Sequence, residues 1–146
     1  MVIIGNDLGE KINLQNKLKN LNLFKDVKLI SGVSNEEVDF LYKYSSLFVF
    51  PSKYEGFGIP ILEAMNFRIP IAMSNIKIFK EITSNKGFYF NPHDINQISK
   101  CILNALRNKK KINKLQNYYD KRLNNFRLKK IAKKLCKFYY SCLKNK

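Results

Sequence analysis

Two hydrophobic rhythms alternate along the first two thirds of the chain, and only one of them continues to the end. Val2-Ile3-Ile4, Val27-Lys28-Leu29-Ile30, Leu47-Phe48-Val49-Phe50, Pro70-Ile71-Ala72-Met73 and Gly87-Phe88-Tyr89-Phe90 are short apolar runs, each closed by Gly, Pro, Ser or Asn. Runs of this length bounded by turn-formers predict buried strands. Between them, apolar residues recur at helical spacing. Leu8, Ile12, Leu18, Leu21 and Leu23 form one set, Val38, Leu41 and Tyr42 a second, Ile76, Phe79 and Ile82 a third, and Ile95, Ile98, Ile102 and Leu106 a fourth. Ser34-Asn35-Glu36-Glu37 has the form of a capping box, with the serine accepting from early helix N–H groups and Glu37 reaching back. Asn75 is a fair cap for the third helix, and Asp94 with Gln97 can cap the fourth. A further helix is expected to open at Pro60, since proline suits the first helical position, and to run to about Phe67.

Strands and helices in alternation predict an α/β fold. The expected form is a Rossmann-like three-layer domain over residues 1–106, with a parallel sheet covered on both faces. Ligands of such sheets bind at the carboxyl ends of the strands. From Arg107 the pattern is helical only. Ile112, Leu115, Tyr119 and Leu123 line one face, and after Asn124-Asn125 a second face runs from Leu128 through Ile131, Leu135 and Tyr139 to Leu143, with lysines opposite. Residues 107–146 are therefore expected to be basic amphipathic C-terminal helices.

Charge sharpens that division. The 146-residue chain carries a formal net charge of +16. Residues 1–106 hold 12 Lys/Arg against 10 Asp/Glu, whereas 107–146 hold 15 Lys/Arg and one acid, Asp120. Basicity belongs to the tail. It reads first as a solvated helical face and second as a peripheral membrane contact, because lysines opposite an apolar stripe suit an anionic lipid surface. Nucleic acid ranks third, since charge alone gives salt-sensitive, non-specific affinity and no recognition motif accompanies it. No run approaches the length of a membrane-spanning helix, and the first residues lack a signal-peptide layout. Cys101, Cys136 and Cys142 have no C-x-x-C spacing and are expected to be reduced, largely buried thiols.

The stretch Pro51-Ser-Lys-Tyr-Glu-Gly-Phe-Gly-Ile-Pro-Ile-Leu-Glu63 joins the third strand to the Pro60 helix. Gly56 and Gly58 let backbone approach a ligand closely, and free N–H groups at a helix start favour an anion such as phosphate. Glu55 precedes the glycines and Glu63 lies one turn into the helix. Paired carboxylate oxygens are good acceptors for vicinal hydroxyls. Tyr54 reads as a brace for the loop, and His93, before a helix start, as a turn or cap residue.

The string Phe50-Pro51-Ser52-x-x-Glu55-Gly56-Phe57-Gly58-x-Pro60-x-x-Glu63-Ala64-Met65 resembles the signature of glycosyltransferase family 4 (group 1). These are retaining, two-domain GT-B enzymes that use nucleotide sugars. The resemblance runs from about Val2 to about Leu143 and is to the C-terminal, donor-binding domain. It implies that Glu63 bonds the ribose hydroxyls and that Glu55, the catalytic position, holds hydroxyls of the transferred sugar without acting as a covalent nucleophile. It also implies that the donor site includes Gly56, that backbone N–H groups of Phe57, Gly58 and Ile59 meet the sugar and diphosphate, and that Gly32 and Val33 edge the nucleobase. The implied reaction is glycosyl transfer to a hydroxyl acceptor in polysaccharide or glycolipid assembly, with no cofactor and no protein-bound metal. The implied location is cytoplasmic, peripheral on the inner membrane face.

Two departures from the family pattern set further expectations. The chain opens at what resembles the family's second strand, so the Arg and Lys that clamp the diphosphate have no counterpart. The first strand of such a sheet is central, which leaves Val2–Ile4 and Leu47–Phe50 each with an unpaired edge. Either those two strands close up, or a partner chain fills the gap, or the chain is a remnant. The acceptor-binding domain is also missing, and the apolar face from Leu128 to Leu143 predicts self-association or a partner. The alternative to a donor-binding domain is a non-catalytic assembly module that keeps the fold and docks to a subunit or membrane.

Overall fold

A computed structural model describes residues 1–144, so the last two residues of the expected 107–146 segment lie outside the described residues. The elements are β1 (Val2–Ile4), α1 (Lys11–Asn20), β2 (Lys28–Ile30), α2 (Asn35–Tyr44), β3 (Phe48–Phe50), α3 (Ile59–Asn66), β4 (Ile71–Ser74), α4 (Lys77–Thr83), β5 (Phe88–Phe90), α5 (Ile95–Arg107), α6 (Lys109–Leu123) and α7 (Leu128–Lys144). The α/β class holds, and every strand ladder among the described residues is parallel. The chain forms two compact units, Met1–Leu41 and Tyr42 onward. The boundary expected at residues 106 and 107 lies inside the second.

In the first unit β1 pairs with β2, from Val2 opposite Lys28 to Ile4 opposite Ile30. The capping box forms as expected: Ser34 N donates to Glu37 Oε2 (2.7 Å) and Glu37 N to Ser34 Oγ (3.2 Å). The expected burial does not follow. All three β1 residues are exposed, as are Leu8, Ile12, Leu21 and Leu23, and Leu18 is the buried hydrophobic residue of this unit. In this unit a two-stranded sheet with α1 and most of α2 has too few neighbours to enclose its apolar faces.

The second unit holds a three-stranded sheet in the order β3-β4-β5. β4 is central, and Ile71, Ala72, Met73 and Ser74 are all buried. Helix α3 brings Ile61, Ala64 and Met65, α4 brings Phe79 and Ile82, and β5 brings Phe88 and Phe90. Phe79 stacks on Phe50 with ring centroids 5.1 Å apart. Helix α6 packs on α3, burying Leu115 and Tyr119. β1 and β3 are each an end strand of their own sheet.

Two local expectations are corrected. Asn75 does not cap α4: its N–H donates to Phe90 O (2.9 Å), which continues the β4–β5 ladder, and Ile76 takes the cap position without a side-chain bond. The cysteines are not largely buried. Cys101 is half-buried, while Cys136 and Cys142 are exposed, because no residue of α7 is buried. Burial pushes the Cys101 thiol pKa up.

Candidate functional site

The loop after β3 stays open to solvent between two fixed ends. Lys53, Tyr54, Gly56, Phe57 and Ile59 are exposed, while Gly58 is buried. Gly58 has φ 85°, a conformation that favours glycine. A Cβ there would stand 3.0 Å from Phe79 Cε1 and 3.4 Å from Ile82 Cδ1, so the turn lies against α4. Gly56 differs, with nothing within 4 Å of an added Cβ. Tyr54, 89% exposed, does not brace the loop.

Each carboxylate is oriented by a hydroxyl. Ser52 Oγ donates to Glu55 Oε1 (3.0 Å), and Glu55 is half-buried. Tyr42, at the end of α2, donates its hydroxyl to Glu63 Oε2 (3.1 Å) and lies 3.4 Å from Pro60 O. Its ring is stacked on Phe67 and edge-on to Phe48. A carboxylate has about four acceptor positions, so one hydroxyl donor fixes the orientation and leaves capacity for further O–H groups. Pro60 stands in the first turn of α3, Gly58 is its N-cap, and no side chain caps the helix. The start of α3 therefore keeps backbone N–H groups available to an anion.

Phe57 is held from the far end of the unit. Its ring meets Phe126 edge-on at 6.0 Å, and the Arg122 guanidinium lies 4.8 Å over Phe126. Arg122 also donates to the last carbonyls of α4, at Ile82 and Glu81 (2.7 Å to the latter). Sequence reasoning missed Tyr42, Arg122 and Phe126 as parts of the site. Tyr42 read as helix face, and its one clue was a hydroxyl on an otherwise apolar stripe.

Gly32 (φ 68°) and Val33 follow β2 in the first unit, the first exposed and the second half-buried. His93 is an exposed turn residue whose N–H donates to Asn91 Oδ1 (3.0 Å). Among the described residues no group of three His, Cys, Asp or Glu side chains could hold a metal ion. Two solvent-open hollows, one lined by Asn75, Lys77, Lys80, Glu81 and Asn85 and the other around Phe88, Tyr89 and Lys100, include no residue of Pro51–Glu63. The loop presents its oriented acceptors on a largely exposed turn.

Comparison with known proteins gives a consistent picture. The family model described as glycosyl transferases group 1 matches residues 1–122. The chain is 38% identical over 81 residues to an O-antigen chain mannosyltransferase B of Escherichia coli, covering 56% of this chain and 21% of that protein. It is 32% identical over 118 residues to the O-antigen chain mannosyltransferase RfbU of Salmonella typhimurium, covering 81% of this chain and 33% of that protein. The chain thus spans a third or less of these curated relatives. In fold it matches Anabaena Alr3699/HepE, solved in complex with UDP and glucose, with a TM-score of 0.81 and 20% identity over 96% of this chain and 40% of the other.

Proposed function

The chain belongs to the glycosyl transferases of group 1, and from that premise we propose that it carries a donor site for a nucleoside-diphosphate sugar, serving retaining transfer to a hydroxyl acceptor in polysaccharide or glycolipid assembly. One observation carries the reading: two hydroxyl-oriented carboxylates, Glu55 and Glu63, flank an exposed glycine turn at an uncapped helix start. In this proposal Glu63 takes the ribose hydroxyls and Glu55 those of the sugar. Backbone N–H groups from Phe57 to Ile59 face the charge that develops on the departing diphosphate. The site is proposed to work without a bound metal or cofactor, on the inner face of a membrane. Support comes from the mannosyltransferase relatives and from the UDP and glucose bound to the Anabaena protein.

Titration of UDP, GDP and ADP against the purified chain tests it. The wild type is expected to bind at least one of them, and Glu63→Ala to weaken that affinity by about tenfold or more, the scale of charge-assisted bonds lost. Circular dichroism checks that the variant folds. No binding by the wild type to any of the three sinks the donor-site reading. A second reading would then stand, a non-catalytic assembly module, which the exposed apolar residues of β1 and α7 favour.

A further inference from the structure

The two hydroxyls that orient the site's carboxylates are not alike. Ser52 lies three residues before Glu55 in the same loop, whereas Tyr42 reaches Glu63 across 21 residues of sequence. Tyr42 is the first residue of the second unit and is 8% exposed. Its ring is stacked on Phe67, the residue that ends α3, at 5.5 Å, and meets Phe48 of β3 edge-on at 5.4 Å. A ring held on two sides in a close-packed interior cannot swing its hydroxyl away without opening that packing. The hydroxyl is therefore a fixed point beside the first turn of α3.

Glu63 has no such fixity of its own. It is exposed, and an exposed glutamate exchanges among staggered rotamers, a freedom whose loss on binding opposes affinity. Tyr42 has one proton to give. Pro60 O is a neutral acceptor at 3.4 Å and Glu63 Oε2 a carboxylate oxygen at 3.1 Å, so the proton points to the carboxylate. That bond sets the plane of the carboxylate. Oε1 and the remaining lone pair of Oε2 are left side by side as acceptors. A vicinal diol needs two such positions, and a lone hydroxyl fills only one.

We propose that Tyr42 is a positioning residue of the donor site: its hydroxyl holds Glu63 ready for both ribose hydroxyls and so makes the chain select nucleotides with an intact ribose diol. Tyr42 acts through Glu63 and not on the nucleotide. This deepens the donor-site proposal and rests on it.

Calorimetric titration tests it with whichever of UDP, GDP and ADP the wild type binds most tightly, and with the 2′,3′-dideoxy form of the same nucleotide. Tyr42→Phe keeps both ring contacts and removes one oxygen. It is expected to weaken the ribose nucleotide by about three- to tenfold, the cost of ordering one free side chain, and to leave the dideoxy form within about twofold. Combined with Glu63→Ala, Tyr42→Phe should add less than about twofold, because the group it acts through is gone. An unchanged affinity of Tyr42→Phe for the ribose nucleotide would overturn the proposal and leave the donor site standing. Equal weakening of both nucleotides would do the same, since that is the mark of a loosened fold, and so would effects of the two substitutions that multiply. A wild type that binds none of the three nucleotides, or binds one with Glu63→Ala making no difference, takes down the ribose role of Glu63 and this proposal with it.

Discussion

β1 and β4 are both short aliphatic runs in parallel sheets, yet Ile3 is 36% exposed and Ala72 is fully buried. The difference is one of neighbours, not of residue type. β4 has a strand on each side and takes contacts from α3 and α5, so each of its side chains replaces water with close-packed carbon. β1 has one partner strand, and the buried residue of α1 in the same unit is Leu18. The same hydrophobic pattern therefore gives a core in one unit and an apolar surface in the other. The first unit is written for enclosure that its own residues do not supply.

The contrast can be broken most directly by truncating one apolar side chain in each unit. Phe79→Ala removes a ring that stacks on Phe50 and contacts Gly58, and is expected to cost about 3–5 kcal/mol in chemical denaturation. Ile12→Ala, at a side chain 70% exposed, is expected to cost less than about 0.5 kcal/mol. Comparable losses would mean that the first unit has a core after all.

A smaller effect separates two glycines with positive φ. Gly58→Ala meets backbone strain and the ring of Phe79 together, whereas Gly9→Ala (φ 100°) meets strain with nothing within 4 Å. Thermal unfolding should show about 1–2 kcal/mol lost at Gly9 and a greater loss at Gly58. Equal losses would show that the close approach of the loop to α4 is of no consequence.

The smallest effect should be alike in both units, because it is local. Asp7 accepts from the backbone N–H groups of Gly9 and Lys11, and Asp94 from that of Gln97; these bonds hold both carboxyls below the ordinary value of 3.8. A depressed folded-state pKa contributes stability above the unfolded value and loses it as pH falls through the folded one. Asp7→Ala and Asp94→Ala should therefore each lower the melting temperature slightly at neutral pH. That deficit should close as pH falls below 3.8. A deficit that persists in acid would trace the effect to something other than the charge.

Much of the candidate site was legible because its parts are close in sequence. Glu55, Gly58, Pro60 and Glu63 fall within one strand-to-helix connection, and the local rules for breakers, helix starts and acceptors apply within it. The orienting groups were less legible. Tyr42 reaches Glu63 from another helix, and Phe126 reaches Phe57 from the α6–α7 connection. No short-range pattern encodes such pairs. The Asn75 cap failed for a related reason: competition from the β5 carbonyl of Phe90 outweighed a local preference.

By itself the sequence determined the α/β alternation, the capping box at Ser34, the Asp94 cap and the glycine turn between two acids, because backbone sterics and nearest-neighbour hydrogen bonds act over a few residues. Tertiary structure alone decided which apolar faces left water. Burial depends on how many elements converge on a surface: β4 is covered from both sides, whereas β1 and α7 keep their hydrophobic residues exposed.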